Sequence, residues 1–224
     1  MDYQEIIKQL KRLANSQIVE GMARYGINSR NTLGISIPDL RAMAKKIGKN
    51  HSMAQKLWAS GIHEARILAG MIDEHEMVTE KQMEHWVKDF DSWGICDQVC
   101  MNLFDKTEFA YKKVLEWSKR EEEFVKRAGF ALMACLAVHN KEMNDKEFEK
   151  FLPIIKRESV DSRNFVKKAV NWALRQIGKR NIYLNKQAIK ISGEIQKIES
   201  KSAKWIAADA LRELTGPAIR RRLK

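Results

Sequence analysis

Trp93 and Asp97 lie four residues apart in the stretch "DSWGICDQV", residues 91–99. On an α-helix this spacing places both side chains on one face. An indole face and a carboxylate each attract positive charge, so the pair could stabilise a cation. The alternative is an acidic residue favoured by the helix dipole beside a packing aromatic, and the pair alone leaves both interpretations open.

Trp172 stands outside the apolar stripe of "FVKKAVNWALRQIGK", residues 165–179. At about 100° per residue the apolar side chains of this segment form a complete buried face without it. The indole instead shares its side of the helix with Lys168, Arg175 and Lys179. This arrangement favours a binding role, and the alternative is an indole buried against a neighbouring helix pair.

Arg127 precedes a long uncharged run in "VKRAGFALMACLAVHN", residues 125–140. No Asp, Glu, Lys or Arg follows it for thirteen residues, so we expect this helix to be largely buried. A cation near the positive end of a helix is disfavoured unless an anion pairs with it. Asp97, a phosphate or an ordinary structural carboxylate would satisfy that need.

Apolar residues recur at helical spacing along almost the whole chain, which has only 3 prolines and 11 glycines. We therefore predict an all-α protein of about twelve helices, in which Pro38 opens one helix and Gly48 ends it. Helix pairs recur at roughly 35 to 45 residues, the range of HEAT-type repeats. We predict a curved solenoid of antiparallel helix pairs, an α–α superhelix, and keep a compact helical bundle as the alternative.

The unusual residues recur at a similar interval, since Arg127 follows Trp93 by 34 residues and Trp172 follows Arg127 by 45. Equivalent positions of successive repeats line one surface of a solenoid. The spacing therefore predicts that two indoles, a carboxylate and an arginine share a groove.

The composition indicates a polyanion as partner. Among 224 residues, 44% are hydrophobic, enough for a substantial core, and the formal net charge is +12. Nucleic acid fits better than a membrane, because no signal pattern appears and the uncharged run over residues 128–140 is too short to cross a bilayer. We expect a single domain over residues 1–216, followed by a basic, flexible tail over residues 217–224. We also expect a cytoplasmic protein, associated with the nucleoid when bound to DNA.

Cysteines and histidines give no sign of metal chemistry. Cys96, Cys100 and Cys135 are an odd, sparse set that is typical of core residues rather than disulfides. The five histidines show no metal-ligand spacing. We predict no structural metal and no cofactor.

Taken together, these segments resemble the AlkD-like DNA alkylation repair glycosylases, which are built of HEAT-like repeats. The resemblance covers most of the chain, from "GMARYGI" and "LGISIPDLRAMAKKIG" through "SWGICDQV" and "VKRAGFALMACLA" to the most specific segment, "KKAVNWALRQIGKRN". It implies that Trp93, Asp97, Arg127 and Trp172 form the active-site cleft.

The resemblance also implies a reaction. The family excises cationic alkylpurines, such as 3-methyladenine and 7-methylguanine, by cleaving the N-glycosidic bond. Two tryptophans and a carboxylate suit an electron-poor sugar, while an arginine can grip a phosphate or orient the carboxylate. No lysine stands out as a Schiff-base nucleophile, so we expect a monofunctional enzyme that acts as a monomer on alkylated double-stranded DNA.

Further residues are expected to contact DNA. Tyr25 in "MARY" matches a groove residue of the family, and Ser36 in "LGIS" stands where some members carry a glutamine that reads the DNA. Two alternatives remain: a non-catalytic protein that binds damaged, bent or branched DNA, and a scaffold for an acidic protein. The predicted DNA-binding residues are Tyr25, Ser36, Lys126, Lys168, Arg175 and Lys179.

Overall fold

The computed structural model describes residues 1–223 and is helical throughout. This confirms the all-α prediction, although fifteen α-helices replace the expected twelve in these residues. Short 310 turns occur at His75–Met77 and Phe104–Lys106. The helices are α1 (Tyr3–Arg12), α2 (Ser16–Arg24), α3 (Ile37–Ile47), α4 (His51–Ala59), α5 (His63–Ile72), α6 (Glu80–Lys88), α7 (Trp93–Asn102), α8 (Ala110–Trp117), α9 (Glu123–His139), α10 (Asp145–Glu149), α11 (Phe151–Glu158), α12 (Asn164–Gly178), α13 (Ile182–Gln196), α14 (Lys201–Leu214) and α15 (Pro217–Arg222).

Helix boundaries follow the sequence signals at some ends and depart from them at others. Pro38 lies in the first turn of α3 and Gly48, with φ +76°, follows its last residue, as predicted. The segment "NDKEFEKFLPIIK", residues 144–156, begins with an Asn144 cap and divides into α10 and α11. Pro153 explains the break, because its ring clashes with the carbonyl four residues earlier.

Helix α12 begins without a side-chain cap. The cap position is occupied by Arg163, whose side chain does not cap the helix, and Asn164 is already helical. Arg163 instead pairs with Asp161, whose carboxylate accepts hydrogen bonds from the Arg163 backbone and guanidinium. The Asp161 carboxylate in the preceding loop therefore stabilises the first turn of α12.

The helices form two compact units, Met1–Glu108 and a second that begins at Phe109. The first unit has an aromatic core in which Trp58 and Trp86 stack at 4.0 Å between ring centroids. In the second unit α9 is buried along most of its length, as predicted. A Cβ at Gly129 would lie 2.6 Å from the Ser118 nitrogen, so only glycine lets α9 approach the end of α8 this closely. The expectation of a single domain over residues 1–216 stays a prediction.

The C-terminal segment is ordered where we expected a flexible tail. Residues Pro217–Arg222 form α15, and Ile219 is buried at 9% exposure against the preceding helix. One apolar anchor, Ile219, docks this six-residue helix, a signal that the run of arginines obscured. Lys224, the last residue of the predicted tail, lies outside the described residues.

The cysteines and the lengths of the helices bear on two other expectations. All three cysteines are buried and unbridged, which confirms their assignment to the core. Across residues 1–223, every helix falls short of the length and apolar character needed to cross a membrane.

Candidate functional site

Helix α7 presents Trp93 and Asp97 on one flank. The helix begins at Trp93 because the buried Ser92 hydroxyl accepts a hydrogen bond from the Ile95 N–H at 3.4 Å. Trp93 and Asp97 are both half-buried, so neither is sealed in the core. The rest of the helix is anchored in the core by buried side chains: Ile95, Cys96, Val99 and Leu103.

The Trp93 ring is tied to a second predicted site residue. Its indole N–H donates to the backbone carbonyl of Tyr25 at 3.0 Å. This bond fixes the ring orientation and satisfies its single polar group. The Tyr25 side chain is 72% exposed, so its ring and hydroxyl are available to a ligand. The structure therefore brings Tyr25, Trp93 and Asp97 into one region of the first unit.

The loop between α2 and α3 is held by a buried carboxylate that the sequence analysis missed. Glu64 is fully buried and accepts hydrogen bonds from the backbone N–H groups of Leu33 at 2.8 Å, Gly34 at 2.7 Å and Ile35 at 3.3 Å. A buried charge is tolerated when it is saturated with donors in this way. Gly34 has φ +75°, and a Cβ there would lie 2.3 Å from the Asn15 carbonyl oxygen, so the loop requires glycine.

His63 lies beside Glu64 and packs under the start of α7. A Cβ at Gly94 would be 3.4 Å from the His63 ring, so the imidazole contacts the turn that carries Trp93. The ring is 4% exposed, and its Nε2 lacks a hydrogen-bond partner among residues 1–223. Burial lowers the pKa of His63 below 6.5, against the opposing effect of the Glu64 and Asp91 carboxylates. A neutral imidazole therefore fills this position near pH 7.

The Ser36 side chain stabilises the start of α3. Its hydroxyl caps α3, accepting from the Asp39 N–H at 3.3 Å and donating to the Asp39 carboxylate at 2.6 Å. The hydroxyl proton is thus used within the helix cap. Contact between Ser36 and DNA stays a prediction.

Arg127 and Lys126 lie near the start of α9 in the second unit, and both are buried at 6% exposure. Arg127 donates from Nη1 to the Phe165 carbonyl at 2.5 Å, near the start of α12. Lys126 pairs with Glu158 at 2.9 Å and approaches Asp161 at 3.7 Å. The Lys126 ammonium therefore faces carboxylates in the described residues, and its contact with DNA stays a prediction.

Trp172 is half-buried on α12, while the stripe that we predicted to be inward is fully buried. This confirms that the helix buries a complete apolar face without the indole. Lys168, one turn earlier, is exposed. The buried residues of the stripe are Val166, Ala169, Val170, Ala173, Leu174 and Ile177.

Two other cations near Trp172 are paired with carboxylates of α14. Arg175 meets Glu213 at 2.6 Å and Asp209 at 3.6 Å, and Lys179 meets Glu213 at 2.7 Å. Burial raises the pKa of Glu213, but hydrogen bonds from Lys179 and Arg175 outweigh it and hold the pKa below its usual value. These partners, distant in sequence, could not be read from α12 alone. Among the four predicted DNA-binding cations, Lys168 is the one that is exposed.

Positive charge is distributed unequally between the two units. The first 108 residues contain 14 Lys and Arg against 15 Asp and Glu, a net charge of −1. The remaining residues contain 27 against 14, a net charge of +13. A polyanion is therefore attracted to the second unit, whereas the candidate carboxylate belongs to the first.

Comparison with known protein families assigns this chain to a family. A model described as "DNA alkylation repair enzyme" matches residues 6–214, nearly the whole chain. The chain belongs to this DNA alkylation repair enzyme family. No curated protein sequence matches it significantly.

Among solved structures, this family member is similar to one described as belonging to "a new family of proteins related to the HEAT-like repeat DNA glycosylases with affinity for branched DNA structures". The two share 20% sequence identity with a TM-score of 0.83, covering 100% of this chain and 96% of the other. At this identity the likeness shows the fold, so the HEAT-like prediction is confirmed. A designed armadillo repeat protein in complex with the peptide (KR)4 also matches, at 13% identity and a TM-score of 0.40, covering 82% of this chain and 78% of that one.

Proposed function

We propose that this protein is a DNA glycosylase that hydrolyses the N-glycosidic bond of cationic N3- and N7-alkylpurines in duplex DNA. Membership of a DNA alkylation repair family and a net charge of +13 on the second unit support the DNA substrate. The observation that carries the proposal is the Trp93–Asp97 pair, half-buried on one flank of α7, with its indole fixed by the Tyr25 carbonyl.

The first chemical step needs little acid catalysis. Alkylation at N3 or N7 gives the purine a positive charge, so the base leaves as a neutral molecule with the electron pair of the C1′–N bond. Positive charge then develops on the deoxyribose. The Trp93 face and the Asp97 carboxylate stabilise that charge as the bond stretches.

The second step is attack of water at C1′. The water oxygen bonds to C1′, and its proton passes to Asp97 or to solvent. The products are free alkylpurine and an abasic site, without a covalent protein intermediate. Asp97 therefore has two tasks: it lowers the energy of the sugar cation and it orients the water.

The resemblance supplies the remaining roles in this proposal. Trp172 makes a second cation–π contact with the sugar, worth on the order of 1 to 2 kcal/mol when desolvated. Arg127 binds a backbone phosphate. Tyr25 and Lys168, both exposed, contact the DNA backbone.

The decisive experiment is detection of free base. Purified protein is incubated with a duplex that carries a single 7-methylguanine, and the supernatant is analysed by mass spectrometry against a protein-free control. We expect release of 7-methylguanine above spontaneous depurination, and an abasic site in the strand that is cut only after alkali treatment. Strand cleavage without alkali would contradict the monofunctional mechanism.

A second candidate is non-catalytic binding of branched or bent DNA. It is favoured by the described affinity of the structural neighbour for branched DNA and by the basic second unit of this chain. Binding to a four-way junction is compared with binding to a duplex of equal length at the same salt concentration. Preference for the junction without release of any methylated base would establish this candidate and exclude the glycosylase.

A further inference from the structure

Trp205 has the most exposed indole among residues 1–223. It is 41% exposed on α14, whereas Trp58, Trp86 and Trp117 are at most 2% exposed. The opposite face of α14 is fully supplied with apolar side chains, so the indole is not needed for packing. Those buried side chains are Ala203, Ile206, Ala207, Ala210 and Leu214.

The surroundings of Trp205 combine positive charge with open space. Lys167, on α12, places its ammonium 5.0 Å from the centroid of the Trp205 ring. Lys201 lies one turn before the indole and Ala208 one turn after it, and both are exposed. Neither Lys167 nor Lys201 forms an ion pair with a carboxylate of residues 1–223. A small alanine next to the ring leaves room for a flat ligand.

The Lys167–Trp205 contact is not needed to hold α12 against α14. Helices α12 and α14 are already joined by Asn171, whose side chain donates to Asp209 at 2.6 Å, and by the Arg175–Glu213 pair at 2.6 Å. An exposed cation–π contact adds only about 0.5–1 kcal/mol to such an interface. An exposed apolar ring of this size is also unfavourable in water, so a ligand that covers it gains from desolvation.

We propose that Trp205 and Lys167 form a stacking platform for an unpaired DNA base, with Lys167 and Lys201 contacting the adjacent phosphates. Aromatic side chains among cations are how proteins hold single-stranded nucleic acid, because every base has a face that stacks. The platform goes beyond the proposed glycosylase activity, which requires only duplex DNA. It gives the protein a reason to prefer DNA with flaps, gaps or branches.

The test compares three fluorescent DNA probes by anisotropy at one salt concentration. The first is a duplex with a flap of five unpaired thymines, the second carries the same flap built from abasic spacers, and the third is fully paired. The wild-type protein should bind the thymine flap at least about 5-fold more tightly than the abasic flap, since stacking contributes about 1–3 kcal/mol per base. Equal affinity for the two flaps would overturn the proposal, because their phosphates are identical.

Variants locate the effect on Trp205. Trp205→Ala should remove the preference for thymines and leave duplex binding within about 2-fold, whereas Trp205→Phe should retain most of it. Tyr183→Ala is the matched control, since Tyr183 is 46% exposed in the same unit but donates to Glu149. A preference that survives in Trp205→Ala, or is lost equally in Tyr183→Ala, would place the base elsewhere.

The outcome is independent of the glycosylase proposal. Release of 7-methylguanine from a fully paired duplex is measured for wild type and Trp205→Ala, and the rates should agree within about 2-fold. Absence of base release from both proteins would refute the glycosylase and leave the flap result intact. Equal affinity of the wild-type protein for the two flaps, together with normal base release, would refute the platform and leave the glycosylase proposal intact.

Discussion

The two units of this chain differ in charge far more than in architecture. Both are helical, yet the first carries −1 and the second +13. A carboxylate that stabilises a sugar cation is weakened by nearby lysines, because they repel the same cation. Phosphates, by contrast, need those lysines. The difference indicates that the second unit attracts the polyanion. The Trp93–Asp97 pair lies in a unit without excess positive charge.

A similar contrast exists within the second unit. Many of its cations are paired with carboxylates, as Arg175 and Lys179 are with Glu213. Lys167 and Lys168 are instead accessible along α12. Ion pairs of half-exposed residues contribute little to stability. Their main consequence is that Arg175 and Lys179 are occupied by a carboxylate, whereas Lys167 and Lys168 can contact phosphates.

The largest effect is expected from Asp97→Asn. Removing one charge that stabilises a transition state costs about 10²–10³ in rate, and the single-turnover release of 7-methylguanine should fall by that factor. DNA affinity should stay within about 2-fold. Glu108→Gln removes one exposed carboxylate from the same unit and should leave the rate unchanged. An equal loss in both variants would show that the charge of the unit matters rather than Asp97.

The next effect concerns folding of the first unit. Glu64→Ala leaves three backbone N–H groups without their acceptor, and we expect a loss of about 3 kcal/mol or more in the free energy of unfolding. Urea denaturation measures it. Glu20→Ala, an exposed change in the same unit, should alter stability by less than about 0.5 kcal/mol. A small effect of Glu64→Ala would mean that the loop is held by other contacts.

Trp172→Ala tests whether the second unit also takes part in the reaction. Loss of one cation–π contact of about 1 to 2 kcal/mol should slow base release by roughly 5- to 30-fold and weaken DNA binding less. Single-turnover kinetics and anisotropy separate the two effects. If binding suffers more than the rate, Trp172 belongs to the DNA-binding surface and the reaction is confined to residues of the first unit.

Lys168→Ala tests the electrostatic side of the comparison. Removal of one phosphate contact should weaken binding by about 2- to 5-fold and reduce the slope of log K against log salt by about 0.9. Lys88→Ala is the control, an exposed lysine at the end of α6 in the first unit. Equal slopes for the two variants would argue against the second unit as the main binding surface.

The last effect is a dependence of stability on pH that arises in the first unit. Burial lowers the pKa of His63 in the folded protein, so the unfolded chain binds the proton more readily. His63 therefore costs stability as the pH falls from about 6.5 toward the lowered pKa, at most about 1.4 kcal/mol per pH unit. His63→Gln should flatten the unfolding free energy between pH 5 and 7. An unchanged profile would mean that other groups determine it.

The sequence was sufficient for the features that depend on local spacing. The buried stripe of α12 follows from periodicity, and the two ends of α3 follow from Pro38 and Gly48; each is confirmed. Glu64 was missed, although a carboxylate in the mostly apolar segment "HEARILAGMI" signalled a buried anion. The carboxylate partners of Lys126 and Arg175 could not be predicted, because they lie 32 to 38 residues away and become neighbours only on folding.

One measurement tests the division between the units most directly: the single-turnover rate of 7-methylguanine release as a function of protein concentration, for Asp97→Asn and Lys168→Ala. We predict that Asp97→Asn lowers the maximal rate and keeps the half-saturating concentration. Lys168→Ala should raise the half-saturating concentration and keep the maximal rate. If both variants changed the same parameter, the assignment of Asp97 to the reaction and of Lys168 to the attraction of DNA would be contradicted.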